Sequence, residues 1–308
     1  MIALWILVIC IAAIECNEKR LHTPIVQTNK GPVQGEILKT ISNGQRYYSF
    51  RGIPYASPPV GSLRFKPPIE AEPWTDIKQT VEEGSPCFQF GDSDVIGSED
   101  CLFLNVFTPA IDGKNLKAVI FSIHGGQFLM GGTFWHGPDF FIEEDIVFVS
   151  INYRLGPLVL AMQWVNKNIK NFGGDPDRVM IYGLSSGSMC VDLHIVSDLS
   201  KGLFHRSIAD GGLILFSWGF STPKEAKENA FELGALLNNN QSTSNVEDII
   251  SILQKADASE IVLKSNLLPQ WRPFRPSLGN ATISKNDTKF LTECYIDKFL
   301  SGNYSMYW

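Results

Sequence analysis

"RVMIYGLSSGSMC", Arg178 to Cys190, decides how the rest of the chain is read. An apolar run leads into Gly183, Ser185 follows, and Gly187 closes a G-x-S-x-G spacing. The run "VMIYG" predicts a strand, and the stretch from Ser186 to Leu199 a helix. A serine between the two is forced onto a tight strand-to-helix turn, beside the free N–H groups and positive dipole end of the helix. The spacing alone is a weak signal, because small residues cluster by chance and an ordinary βα turn fits it. The flanking strand and helix make Ser185 a candidate nucleophile.

Upstream, "HGGQF" (His124 to Phe128) ends another apolar run. Two adjacent glycines after a strand let backbone N–H groups point into a cavity, as an oxyanion hole requires. The runs "LFLNVFT" (102–108), "AVIFSIH" (118–124) and "IVFVSINY" (146–153) lack alternation and suit strands covered on both faces. Residues 158–172 carry apolar side chains at helical spacing, and "GGDPDR" after them reads as a stop followed by a turn. Strand, helix, strand, helix in this order predicts an α/β sheet with parallel crossovers. "TPIVQTNKGPVQGEIL" and "QRYYSFRGIPYASPP" predict an antiparallel opening, followed by an extended Pro-rich stretch. Residues 223–263 read as mostly helical, broken by a polar loop at 238–245.

Composition narrows the class. A 44% hydrophobic and 19% charged chain of 308 residues can bury a sizeable core. The net charge of −6, with no basic block, argues against nucleic acid as partner. Ile2 to Ile14 form an uninterrupted apolar run that predicts a signal peptide over residues 1–16, although no Lys or Arg precedes it. A buried N-terminal element is the bland alternative. No other segment is long and apolar enough for a membrane span. In an oxidising compartment Cys87 and Cys101 are the obvious pair, and Cys190 reads as a small buried residue. Cys294 has no clear partner. Sequons at Asn240, Asn280, Asn286 and Asn303 agree with a glycoprotein, each weak by itself. No metal or cofactor is implied.

Six stretches in order, "FRGIPYASPPVGSLRF", "SEDCLFLNVFTP", "IHGGQF", "SINYRLGP", "FGGDPDRVMIYGLSSG" and "KGLFHRSI", resemble the type-B carboxylesterases, which include cholinesterases and insect esterases. The resemblance implies a partial α/β-hydrolase fold over residues 17–308, with a mixed central sheet. It implies a secreted serine hydrolase of small-molecule carboxylic esters, with Ser185 as nucleophile. The N–H groups of Gly126, Gln127 and Ser186 would form the oxyanion hole, and Cys87–Cys101 the family's first disulfide. Oligomeric state is left open.

Departures from the family are also expected to matter. In α/β-hydrolases the histidine base follows the nucleophile in the chain. Only His194 and His205 do so here. His194 stands nine residues along the helix, roughly 13 Å from its start, and His205 matches a structural stretch. The family's acid and histidine lie beyond Trp308, so the expectation for this chain is an incomplete triad without appreciable turnover. Pro157 and Leu158 run almost straight into a helix where the family has a long loop. Leu184 replaces a common acidic residue, Gln127 a glycine, and Gly211 a frequent serine. Phe88 and Phe90 stand in the 87–101 loop without a tryptophan, which disfavours choline esters. The alternative is a non-catalytic binding or adhesion member of the family, against which the retained Ser185 weighs.

Overall fold

The computed structural model describes residues 20–154, 158–270, 273–277, 290–291, 295–302 and 304. Strands β1 (Val26–Gln27) and β2 (Pro32–Gln34) open the chain, and β3 (Glu36–Lys39) and β4 (Arg46–Pro54) form an antiparallel pair. β5 (Lys78–Gln79) returns beside β2, and β6 (Gln89–Phe90) pairs with β7 (Val95–Ile96) within the loop that Cys87 and Cys101 close. Then come β8 (Phe103–Thr108), β9 (Lys117–Ile123), β10 (Val147–Ile151), β11 (Gly174–Leu184) and β12 (Arg206–Asp210). The central sheet has seven strands in the order β12-β11-β9-β10-β8-β4-β3. β12, β11, β9 and β10 run parallel, while β10–β8, β8–β4 and β4–β3 are antiparallel. This is the mixed sheet of an α/β-hydrolase fold, with its antiparallel part at the N-terminal edge.

Both faces of the sheet are covered, which is why its central strands read as unbroken apolar runs. One face packs on α2 (Leu158–Asn168), the turn to Phe172 and α3 (Ser186–Val196), around Phe50, Phe121 and Trp164. The other face packs on the short α1 (Asp139–Glu143), with Phe107, Ile142 and Phe148. Most of α3 is buried, including Met189, Val191 and Val196, so this helix is a core element. Residues 223–265 form α4 (Pro223–Leu237), α5 (Val246–Lys255) and α6 (Ala258–Ser265). α4 starts with a reciprocal cap between Thr222 and Glu225 and with Pro223 in its first turn, where the missing N–H costs nothing. A last helix, α7 (Tyr295–Leu300), lies against α3.

Two expectations change. "GGDPDR" does not end in a free turn: Gly174 pairs with Lys117 and Val179 with Val119, so the residues between are a bulge within β11. The predicted helix to Leu199 stops at Val196, and a single 3-10 turn covers Asp198–Ser200. The expected signal segment, Cys294, Asn280, Asn286 and Asn303 lie outside the described residues. Among the described residues no helix is long and apolar enough to cross a membrane.

Candidate active site

Three parallel strands bring the sequence-singled residues together. β9 ends at Ile123, beside Gly183 of β11, and Leu184 pairs with Asp210 at the end of β12. The segments that leave these strands therefore converge at their carboxyl ends, where ligands of open α/β sheets bind.

Ser185 sits between β11 and α3 with φ 56° and ψ −116°. That region is sparsely populated by non-glycine residues and costs on the order of 1–3 kcal/mol. The surroundings hold it there. Its N–H donates to the Asp210 carbonyl at 2.7 Å, and its side chain makes no capping bond to the helix, so the hydroxyl is not consumed locally. A Cβ on Gly187 would fall 2.2 Å from the Ile123 carbonyl oxygen, so the helix start can meet the end of β9 only with glycine there. Ser186 follows as the first helical residue, fully buried, and its N–H has no intrahelical acceptor.

The glycine loop closes against this turn. A Cβ on Gly125 would stand 3.2 Å from Ser185 Cβ and 2.8 Å from the Leu184 carbonyl oxygen. Gly126, Gln127 and Phe128 follow with φ of 104°, 62° and 64°, three successive residues at positive φ. Leu129 and Met130 donate to the Gly126 carbonyl at 2.9 and 3.1 Å, which locks the turn. Gln127, where the family resemblance implies glycine, thus occupies a conformation that glycine would take without steric cost. Through Gly125 the glycine loop meets the turn that carries Ser185 and Ser186.

A residue that sequence reasoning did not single out fixes this junction. Tyr153 is buried, donates its hydroxyl to the His124 carbonyl at 2.7 Å, and lays its ring 4.3 Å from the His124 ring. The same carbonyl would lie 2.8 Å from a Cβ on Gly187. Tyr153 therefore ties the base of the glycine loop to the start of α3. The one available signal was its place in "SINYRLGP", which says nothing of its partner.

The histidines are engaged elsewhere, and all five lie among the described residues. His194 is buried on α3 and shares a 2.7 Å hydrogen bond with Ser200 Oγ; burial lowers its pKa to about 3. Burial likewise lowers His124 to about 4, partly opposed by its hydrogen bond to the Gly125 carbonyl. That bond, 2.8 Å long, requires the proton on Nδ1. His205 Nδ1 accepts from the N–H of Val179, in the middle of the strand that Ser185 follows. His136 places its ring 6.5 Å from Tyr182, and His22 bridges to Glu36 at the far edge of the sheet. None hydrogen-bonds to Ser185.

Cys87 and Cys101 are joined as a disulfide, with Cα atoms 4.9 Å apart. Cys190 is a buried free thiol whose pKa is pushed up to about 12 by desolvation, so it stays protonated. Asn240 is exposed, at φ 63°. Gly211 has φ 71°, so the serine that relatives often carry there would be strained in this backbone. A Cβ on Gly211 would stand 4.0 Å from Leu184 Cδ1.

A mixed sheet with a strand–serine–helix turn at the carboxyl ends of its parallel strands defines an α/β-hydrolase. Known proteins sharpen that class. The carboxylesterase family profile matches residues 22–159 and 158–299. The two parts meet at residues 158 and 159, just after the shortened connection that precedes α2. The chain is 39% identical over 285 residues to esterase FE4 of Myzus persicae, covering 83% of this chain and 50% of the relative. It is 35% identical over 263 residues to juvenile hormone esterase of Tribolium castaneum, covering 77% and 45% respectively. Among solved structures, juvenile hormone esterase from Manduca sexta with covalently attached OTFP superposes with a TM-score of 0.80 at 26% identity, covering 91% of this chain and 58% of that one. The chain belongs to the carboxylesterase family, and it spans about half the length of the curated relatives it matches.

Proposed function

We propose that Ser185 is the nucleophile of a carboxylic ester hydrolase, with the N–H groups of Gly126, Gln127 and Ser186 stabilising the oxyanion. The observation that carries this reading is the strained backbone of Ser185, at positive φ and enclosed by Gly125, Gly212 and the Asp210 carbonyl. Strain of this kind persists only where neighbours over-determine it, and it presents the hydroxyl to the position a substrate carbonyl would take. Attack would form a tetrahedral oxyanion, then an acyl-serine that water releases as the carboxylic acid. The Cys87–Cys101 disulfide supports an oxidising compartment. With the apolar leader 1–16 and the exposed Asn240, it favours a secreted glycoprotein whose mature part begins near residue 17.

Attack also needs a base to take the serine proton, and no histidine of these 308 residues is held beside Ser185. The proposal is that the 308 residues alone do not turn over esters. The test is hydrolysis of p-nitrophenyl butyrate by the 308-residue chain against its Ser185→Ala variant. Equal, background rates are expected. Serine-dependent turnover at ordinary esterase rates would overturn the missing-base reading while supporting Ser185 as nucleophile.

A further inference from the structure

A cavity of about 450 Å³ borders the glycine loop on the side that carries the His124 ring, and Ser185 is not among its walls. Its volume falls within the roughly 300–1,000 Å³ typical of small-molecule sites. Phe65, Phe88, Phe128 and Phe274 give the lining a large aromatic share. The polar residues are already engaged. Gln89 donates to the Cys87 and Gly131 carbonyls at 2.9 and 2.8 Å and accepts from the Gly131 N–H at 2.7 Å. Tyr153 is bonded to the His124 carbonyl, and His124 is neutral.

Arg154 differs from these. It lines this cavity and a neighbouring one of about 220 Å³ that shares Phe65, Cys87 and Phe88. One terminal nitrogen donates to the Lys66 carbonyl, while Nε is buried without a hydrogen-bond partner. Among the described residues no carboxylate pairs with Arg154. The acid in the smaller cavity, Glu99, is held by both forks of Arg64 at 2.6 and 2.7 Å. Arg154 is half-buried, so its guanidinium keeps unpaired donors facing the cavity without a counter-charge, and a carboxylate is the group whose geometry fits them best.

We propose that this cavity binds an amphiphilic monocarboxylate, with the carboxylate on Arg154 and the apolar chain between Phe65, Phe88, Phe128 and Phe274. The site does not use the Ser185 hydroxyl, so it stands or falls separately from the esterase reading. The test is calorimetric titration of the 308-residue chain carrying Ser185→Ala with dodecanoate and with dodecan-1-ol, near neutral pH. Dodecanoate is expected to bind about tenfold or more tightly than the alcohol. Arg154→Gln should erase that preference while leaving alcohol binding unchanged. Leu129→Trp, which fills the cavity with Arg154 intact, should weaken both ligands, with folding checked by circular dichroism. Equal affinities in the parent, no dodecanoate binding, or a preference that survives Arg154→Gln would overturn the proposal, and the parent comparison decides even if a variant fails to fold.

Discussion

The glycine loop and serine turn are built very differently from the strand edge that flanks them. Around Ser185 the backbone is interlocked. Gly125 abuts Leu184 and Ser185, Gly187 abuts Ile123, and Tyr153 bonds the His124 carbonyl. At β12 the sheet is open. Ile208 is 46% exposed, and Leu213 and Leu215, just beyond the strand, are 50% and 54% exposed. The contrast separates two halves of one chemistry. The groups that would stabilise an oxyanion come from short contiguous segments whose backbones are fixed by close packing. The groups that would activate the serine are not contributed by the described residues on the open side.

Four measurements break or sharpen this contrast. Gly187→Val should have the largest effect, because its side chain enters backbone at the end of β9. A loss of about 3 kcal/mol or more is expected in urea unfolding, whereas Ile208→Val on the exposed edge should cost less than about 0.5 kcal/mol. Equal losses would erase the distinction.

Acid titration comes next. His124 and His194 have folded pKa values of about 4 and 3, below the unfolded value near 6.5. Below pH 6.5 the unfolded chain takes up protons first. Stability is therefore fully present above that pH and falls as pH drops toward 4 and 3, by several kcal/mol in total. Urea midpoints at pH 7 and 5 should differ for this reason, and His194→Gln should flatten the dependence. A midpoint unchanged by pH would mean that burial does not hold these histidines neutral.

Tyr153→Phe removes one buried hydrogen bond and leaves the His124 carbonyl without that donor. A loss of about 1–2 kcal/mol is expected by thermal or urea unfolding; no change would remove Tyr153 from the junction. Gln127→Gly is the smallest. Relief of positive-φ strain opposes the greater entropy of an unfolded glycine, so stability should move by less than about 1 kcal/mol. A larger loss would show that the Gln127 side chain, rather than its backbone, holds the loop.

Much of this was legible in the sequence, for reasons that also mark the limit. The runs at 102–108, 118–124 and 146–153 announced β8, β9 and β10 because both faces of those strands are buried. β12 gave no such signal, since Arg206 and Ala209 are exposed and its apolar content is slight. The β11 bulge was hidden because Asp175, Pro176 and Asp177 carry turn chemistry that a register shift accommodates equally well. G-x-S-x-G and "HGGQF" pointed to Ser185 and Gly126 because short-range backbone needs dictate glycine. The Tyr153 tie spans 29 residues, and the sequence carries no local mark of such a contact. Nor did it reveal that Gln127 would adopt a glycine's conformation.

The most direct test of the central claim supplies a base from solution. The 308-residue chain is incubated with p-nitrophenyl butyrate with and without imidazole, quenched in acid, and mapped by peptide mass spectrometry. The account predicts butyrylation of Ser185 that rises with imidazole and is absent from Ser185→Ala. Acylation at another residue, or acyl-Ser185 forming equally fast without imidazole, would contradict it.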